Sequence, residues 1–219
     1  MKLNKYFKIF KIILVFIMFV LSILMIFTIS KKNNFDDRLI YIDDFLSVND
    51  YNKILNNTNK IRDLKNENFR LIKPLNNNQN KDVYDIFYSQ DCLNKIKKVL
   101  HNNNVMKSDF PIEYRIYPTK SDGMKWHSDT LLYELPQYEV IYTIKNDSDS
   151  KTKWIDSNSN HNSVWTKPNS LLIVKAKGFK HMVTPINKGT RTILKLIYTQ
   201  TDKTNNNYNN EMLRFKNIR

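Results

Sequence analysis

Tyr138-Glu139-Val140-Ile141-Tyr142-Thr143-Ile144-Lys145 is the run whose reading decides the fold. Its large apolar residues Tyr138, Val140, Tyr142 and Ile144 fall two apart. In an extended chain such residues share one face, so the run reads as a strand with one buried side. Other short strand-like runs surround it: 112–117 and 124–129 before it, then 152–155, 162–166, 170–176, 179–183 and 190–199. Regularly spaced short strands without helices between them predict an antiparallel barrel or jelly roll. Upstream the pattern changes. Residues 39–42 read as a strand, and Ser47 is placed to cap a helix through Tyr51, Ile54 and Leu55. A second helix fits 89–100, where Cys92, Ile96, Val99 and Leu100 recur at helical spacing, with a loop at 76–80. Helices first and strands later predict helices packed outside one barrel.

The N-terminus reads differently from this body. Residues 12–29 form an uncharged run of 18 residues, with Ser22 and Thr28 as the hydroxyl-bearing members. That is long enough to span a bilayer core, and a core helix of a soluble domain is rarely apolar on every side over such a length. Lys2, Lys5, Lys8 and Lys11 precede the run, while Lys31 and Lys32 follow it. The excess before it places the N-terminus in the cytosol. A cleaved signal peptide would have an apolar region of about 7–15 residues and a small-residue cleavage site. This run is longer, and Thr28-Ile29-Ser30 suits that site poorly. The expected organisation is a basic cytosolic segment at 1–11, a transmembrane signal anchor at 12–29, a linker at 30–37, a folded domain at 38–200 and a polar tail at 201–219. In that tail, Met212-Leu213-Arg214-Phe215 is the segment able to dock. The chain is thus expected to be a single-pass membrane protein with its domain luminal or extracytoplasmic.

Composition narrows the class. Hydrophobic residues at 41% and aromatics at 12% supply a core, which excludes wholesale disorder. Of the formal +14, the six lysines before residue 33 carry +6 and the remainder +8. A basic body favours anionic partners. No basic stripe interleaved with aromatics is present, which argues against nucleic acid. The single cysteine, Cys92, has no disulfide partner in the chain and reads as a small buried hydrophobe.

The chemistry sits with the histidines. His161 sits in an Asn/Ser loop and reads as solvated, while His101 ends a helix among asparagines, where a cation is mildly favoured. His127 lies in Trp126-His127-Ser128-Asp129-Thr130. On a strand, residues two apart point the same way, so His127 and Asp129 aim an imidazole and a carboxylate at one point. His181, 54 residues on, supplies a third ligand from a neighbouring strand. Two histidines and one carboxylate on one face of a metal form the facial triad of non-haem iron(II) oxygenases. Arg191 follows ten residues later on the last strand, where a planar guanidinium can grip a carboxylate with two parallel hydrogen bonds.

These motifs resemble the prolyl 4-hydroxylase-like branch of the iron(II)/2-oxoglutarate-dependent dioxygenases. The likeness rests on Tyr117-Pro118, Met124-Lys125-Trp126-His127-Ser128-Asp129, Pro168-Asn169-Ser170-Leu171-Leu172-Ile173-Val174, His181-Met182-Val183-Thr184-Pro185 and Gly189-Thr190-Arg191. Ile42-Asp43-Asp44-Phe45-Leu46-Ser47 is also similar to how such domains begin. The resemblance covers most of 38–200. It implies a mainly β fold with flanking helices, a double-stranded β-helix (jelly-roll or cupin-like) barrel, here behind one N-terminal transmembrane helix. It implies Fe(2+) held by His127, Asp129 and His181, with 2-oxoglutarate anchored by Arg191. Tyr142 and Tyr117 are the candidate tyrosines beside the cosubstrate. The implied reaction consumes O2 and 2-oxoglutarate, releases succinate and carbon dioxide, and hydroxylates a C–H bond, with ascorbate a candidate auxiliary. A prolyl or other residue of a peptide or protein is the implied substrate. The sequence departs from the family pattern at 146–153, which lacks the paired glycines often found there. Two competing readings are a non-catalytic membrane-anchored β-barrel binding module and an oxygenase acting on lipid, nucleobase or small molecule. Oligomeric state has no signal in the sequence.

Overall fold

The computed structural model describes residue 18 and residues 36–218. The anchor expected at 12–29 lies, residue 18 apart, outside the described residues. Among the described residues, no helix is long and apolar enough to cross a membrane.

Residues Asp37–Arg219 form one compact unit, mainly β. The strands are β1 (Leu39–Ile42), β2 (Lys65–Glu67), β3 (Arg70–Pro74), β4 (Met106–Lys107), β5 (Glu113–Tyr117), β6 (Met124–His127), β7 (Tyr138–Asn146), β8 (Thr152–Ile155), β9 (His161–Val164), β10 (Ser170–Lys175), β11 (His181–Val183) and β12 (Arg191–Thr199). The helices are α1 (Val48–Thr58), α2 (Lys81–Phe87), α3 (Gln90–Val99) and α4 (Asn206–Ile218). An eight-stranded sheet runs β1-β10-β7-β12-β5-β3-β2, with β4 paired to β12. A four-stranded sheet runs β6-β11-β8-β9. Every strand pairing is antiparallel. Residues of both sheets line one cavity, which makes the pair a jelly-roll-like barrel.

The apolar alternation of the central strand has a definite destination. Tyr138, Val140, Tyr142 and Ile144 pack with Leu171, Ile173, Leu194, Leu196 and Tyr198 against Ile54, Val83, Phe87 and Ile96 of the helices. This is the main core, and it lies on the helix side of the large sheet. Ser47 caps α1 by accepting from the Asp50 N–H, and Ser89 caps α3 by accepting from the Cys92 N–H. Each satisfies one of the first-turn donors a helix leaves open. Cys92 lies on the buried face of α3, its Sγ 3.5 Å from the Tyr198 hydroxyl, which itself donates to the Phe87 carbonyl.

The structure corrects one expectation here. The C-terminal tail is not a polar appendage. It forms α4, whose Phe215 is buried with Phe110, Leu132, Tyr133 and Ile197. The domain therefore extends past residue 200, because a short apolar stripe was enough to dock a helix of asparagines. The β2–β3 hairpin and α2, between residues 65 and 87, are elements for which the sequence carries no strong periodicity. Phe215→Ala is expected to cost about 3–5 kcal/mol, the usual range for a deeply buried aromatic. Urea denaturation of both proteins checks this; a change under about 1 kcal/mol would mean that α4 contributes little to the fold.

Candidate metal centre

His127 ends β6 and His181 begins β11, and the two are direct partners in the antiparallel ladder. Their rings lie 4.3 Å apart between centroids. Asp129 lies two residues past the end of β6, so it is not on the strand as the H-x-D spacing implied. Its carbonyl accepts from the Lys177 N–H at 3.1 Å, which fixes the turn. The carboxylate then sits between the imidazoles. Oδ1 is 3.7 Å from His127 Nε2, and Oδ2 is 3.5 Å from His181 Nε2. One ligand atom from each residue falls within 4.8 Å of the others.

The hydrogen bonds say which atoms are free to bind. His127 Nδ1 is 2.7 Å from the Lys125 carbonyl, and His181 Nδ1 is 3.0 Å from the Phe179 carbonyl. A carbonyl can only accept, so each Nδ1 carries the proton and each Nε2 presents its lone pair. Burial, the leading cause, holds both imidazoles below their ordinary pKa, in the neutral form a metal needs. Asp129 Oδ2 is buried without a hydrogen-bond partner. Three lone pairs thus converge with no proton between them. A divalent cation answers that arrangement, and the donor set of two nitrogens and one carboxylate oxygen suits iron(II).

Around the triad the cavity is lined by residues of both sheets, including Tyr117, Ile141, Thr152, Val183, Arg191 and Ile193. Arg191 starts β12 and is 2% exposed. Its Nη1 donates to Thr152 Oγ1 at 3.3 Å, while its Nε is buried and unpartnered. Burial pushes its pKa down, yet a guanidinium keeps its proton in proteins. Among the described residues no carboxylate pairs with it. A buried cation without an anion is costly, so the residue fits a ligand that brings its own carboxylate.

The turn before Arg191 is held tightly. Asp147 Oδ1 accepts from the Thr190 N–H at 2.7 Å, and Asp149 Oδ1 accepts from the Asn187 N–H at 3.0 Å. Gly189 between them has φ +72°, and a Cβ there would meet the Asp147 carbonyl oxygen at 2.3 Å. These contacts fall in the stretch that lacks the paired glycines, and carboxylates do the holding instead. Gly189→Ala is expected to lower stability by more than the roughly 1–2 kcal/mol of a left-handed residue alone, since backbone must also move. A thermal melt within a degree of the parent would show that the turn yields freely.

Tyr117, on β5 opposite Arg191 in register, lies in the cavity wall. Burial alone would raise its phenol; the guanidinium groups of Arg115, Arg70 and Arg191 outweigh this and hold it below the usual value. Tyr142 is a correction. It faces the helices, donates to Asn169 Oδ1 at 2.8 Å and meets Phe87 edge-on at 4.9 Å. Glu139 and Ile141 line the cavity, and residues two apart share a face, so Thr143 is the residue turned inward. Its Oγ1 is buried and unpartnered. Tyr114 also belongs to the helix-side core. His161 is exposed and stacks edge-on with half-buried Trp126 at 6.0 Å, away from the triad. Sequence reading missed Thr152, Glu139 and Lys195 in the lining, because polar residues alternating along strands read as a solvent face.

No family model matches the chain, and no curated protein matches it. Solved structures do. It is similar to an oxidoreductase of the 2OG-Fe(II) oxygenase family from Burkholderia pseudomallei, with a TM-score of 0.67 at 8% identity, covering 77% of this chain and 87% of that one. It is similar to a prolyl hydroxylase from Trichoplax adhaerens in complex with a hypoxia inducible factor peptide fragment, with a TM-score of 0.59 at 13% identity, covering 75% and 84%. A third is HygX from Streptomyces hygroscopicus with nickel and 2-oxoglutarate bound, with a TM-score of 0.58 at 8% identity, covering 74% and 82%. The chain has the fold of the 2OG-Fe(II) oxygenases, prolyl hydroxylases among them. Within that fold, the residues expected from sequence to hold the metal meet at one point.

Proposed function

We propose that this protein is an iron(II)/2-oxoglutarate-dependent dioxygenase that hydroxylates a C–H bond of a peptide or protein residue, prolyl residues being the first to test. One observation carries the reading: an unpartnered carboxylate oxygen between two Nε2 lone pairs shares a cavity with an unpaired, fully buried guanidinium. His127, Asp129 and His181 would hold iron(II), and Arg191, with the Thr152 hydroxyl it contacts, would hold the distal carboxylate of 2-oxoglutarate. The metal and cosubstrate supply the oxidising chemistry. The chain's residues bind and orient them: Nδ1 bonds to backbone carbonyls fix both imidazoles, and the Asp147 and Asp149 contacts fix the turn that aims Arg191. The peptide-bound prolyl hydroxylase of the same fold supports a peptide substrate.

The run at 12–29 supports a second part of the proposal, that the chain is membrane-anchored with its N-terminus cytosolic and its domain extracytoplasmic. Protease protection of the domain in sealed membranes tests it; digestion of the domain from the cytosolic side would reverse the orientation. Succinate formation from 2-oxoglutarate, iron(II) and air tests the activity. Succinate from the parent and none from His127→Ala is the expected outcome. Equal succinate from both would remove the triad from the reaction.

A further inference from the structure

The approach to the metal centre is lined by charge. Arg115, Met124, His127, Asp129, Glu139 and Lys195 border both the inner cavity and the groove outside it. Glu67, Asn68 and Arg70 of the β2–β3 hairpin and Glu211 and Arg214 of α4 continue the groove outward. Its charges are joined by ion pairs. Arg70 meets Glu67 at 3.1 Å, and Arg214 meets Glu67 at 2.9 Å, Glu211 at 2.8 Å and Glu113 at 3.7 Å. Arg115 grips Glu113 with contacts of 2.8–3.0 Å, and Lys195 meets Glu139 at 2.5 Å.

Hydrogen-bonding capacity decides what the groove lacks. Each of these four glutamates is held by at least one cation, and Glu67 and Glu113 by two. The cations are not used up. Arg70 Nε is buried without a partner. The Lys195 ammonium has three donors and, among the described residues, one ion-pair partner. Apart from the Asp129 Oδ2 at the candidate metal centre, the unmet capacity is donor capacity, and buried donors are ordinarily satisfied. What enters therefore has to bring acceptors. The body's +8 charge draws anions toward it. The groove's form favours a chain over a small ion. Phe110, Met124 and Leu132 supply apolar contacts between the charges. β2 ends the sheet order, so among the described residues no further strand pairs with its outer edge, a place where an extended segment can add.

We propose that the groove takes an acidic peptide segment, seating a substrate aspartate or glutamate carboxylate against Arg70, with Lys195 as a second donor nearer the metal. The proposal rests on the oxygenase reading for what happens at the metal, while the groove's preference can be measured without turnover. The test uses the full-length protein with manganese(II) in place of iron. Three fluorescent pools of nine-residue peptides share a central proline, with flanking positions drawn from Asp and Glu, from Asn and Gln, or from Lys and Arg. Fluorescence polarisation gives each affinity. The acidic pool is expected to bind at least about tenfold more tightly than the amide pool, the worth of one charge-assisted hydrogen bond. Arg70→Gln should collapse that ratio towards one, and Arg70→Lys should keep most of it. Thermal melts confirm that both variants fold. Equal affinity for the acidic and amide pools, tighter binding of the basic pool, or a preference that survives Arg70→Gln would overturn the proposal. Acidic preference without succinate formation would instead retain the groove and remove the oxygenase.

Discussion

His181→Ala is expected to abolish iron-dependent turnover by removing the metal. Outer-shell partners of metal ligands typically cost 10–100-fold in affinity when lost. His181 is itself one of three ligands, so its loss should weaken iron binding by more than about 100-fold. The geometry explains why no neighbour can replace it. His181 is fixed by the ladder pairing with His127 and by its Nδ1 contact to the Phe179 carbonyl at 3.0 Å. His161 is the next histidine along this sheet, but it is exposed and faces Trp126. Metal titration of both proteins at neutral pH, followed by calorimetry, checks the result. Retained affinity within a few-fold would mean that the ion binds elsewhere.

Arg191→Met is expected to act in opposite directions on binding and on stability. For 2-oxoglutarate, the variant loses the cation that meets the distal carboxylate. Truncating one partner of a buried charge pair costs about 2–5 kcal/mol, which is on the order of 30- to 4,000-fold in Kd. Without cosubstrate the guanidinium is a buried cation whose Nε has no partner. Replacing it by an apolar side chain of similar length removes that penalty, so the cosubstrate-free protein should gain about 1–3 kcal/mol. Urea melts with and without 2-oxoglutarate measure both effects. A structural arginine would give the reverse pattern, with lower stability and unchanged Kd.

The strands were legible because their alternation is strong, and the triad because His127 and His181 are fixed in type and spacing. What the pattern could not say is which side of the sheet holds the chemistry. Tyr138, Val140, Tyr142 and Ile144 look like barrel lining, yet they face the helices, where the larger apolar surface is buried. Glu139, Ile141 and Thr143 take the inside. A one-residue slip in that assignment moves a side chain to the opposite face, and Tyr142 accordingly lies with the helices. Glu113, Arg115 and Lys195 were hidden for the same reason. Charged residues two apart on a strand ordinarily mean solvent, whereas here each meets an opposite charge inside the barrel. Asp129 does meet the two imidazoles, but by a geometry the H-x-D spacing did not imply, since β6 ends at His127 and a turn delivers the carboxylate. α4 was obscured by its asparagines, and one buried face with Phe215 was enough to dock it.

The central claim is that one cavity binds a divalent metal and 2-oxoglutarate together. Calorimetric titration of 2-oxoglutarate into the protein, without oxygen, tests it most directly. With iron(II) or manganese(II) present, saturable binding of one cosubstrate per chain is expected. Removing the metal by chelation should abolish that binding, and so should His181→Ala. Binding that is absent with metal, or equally strong without it, would contradict the account and leave a barrel of this fold with no cosubstrate.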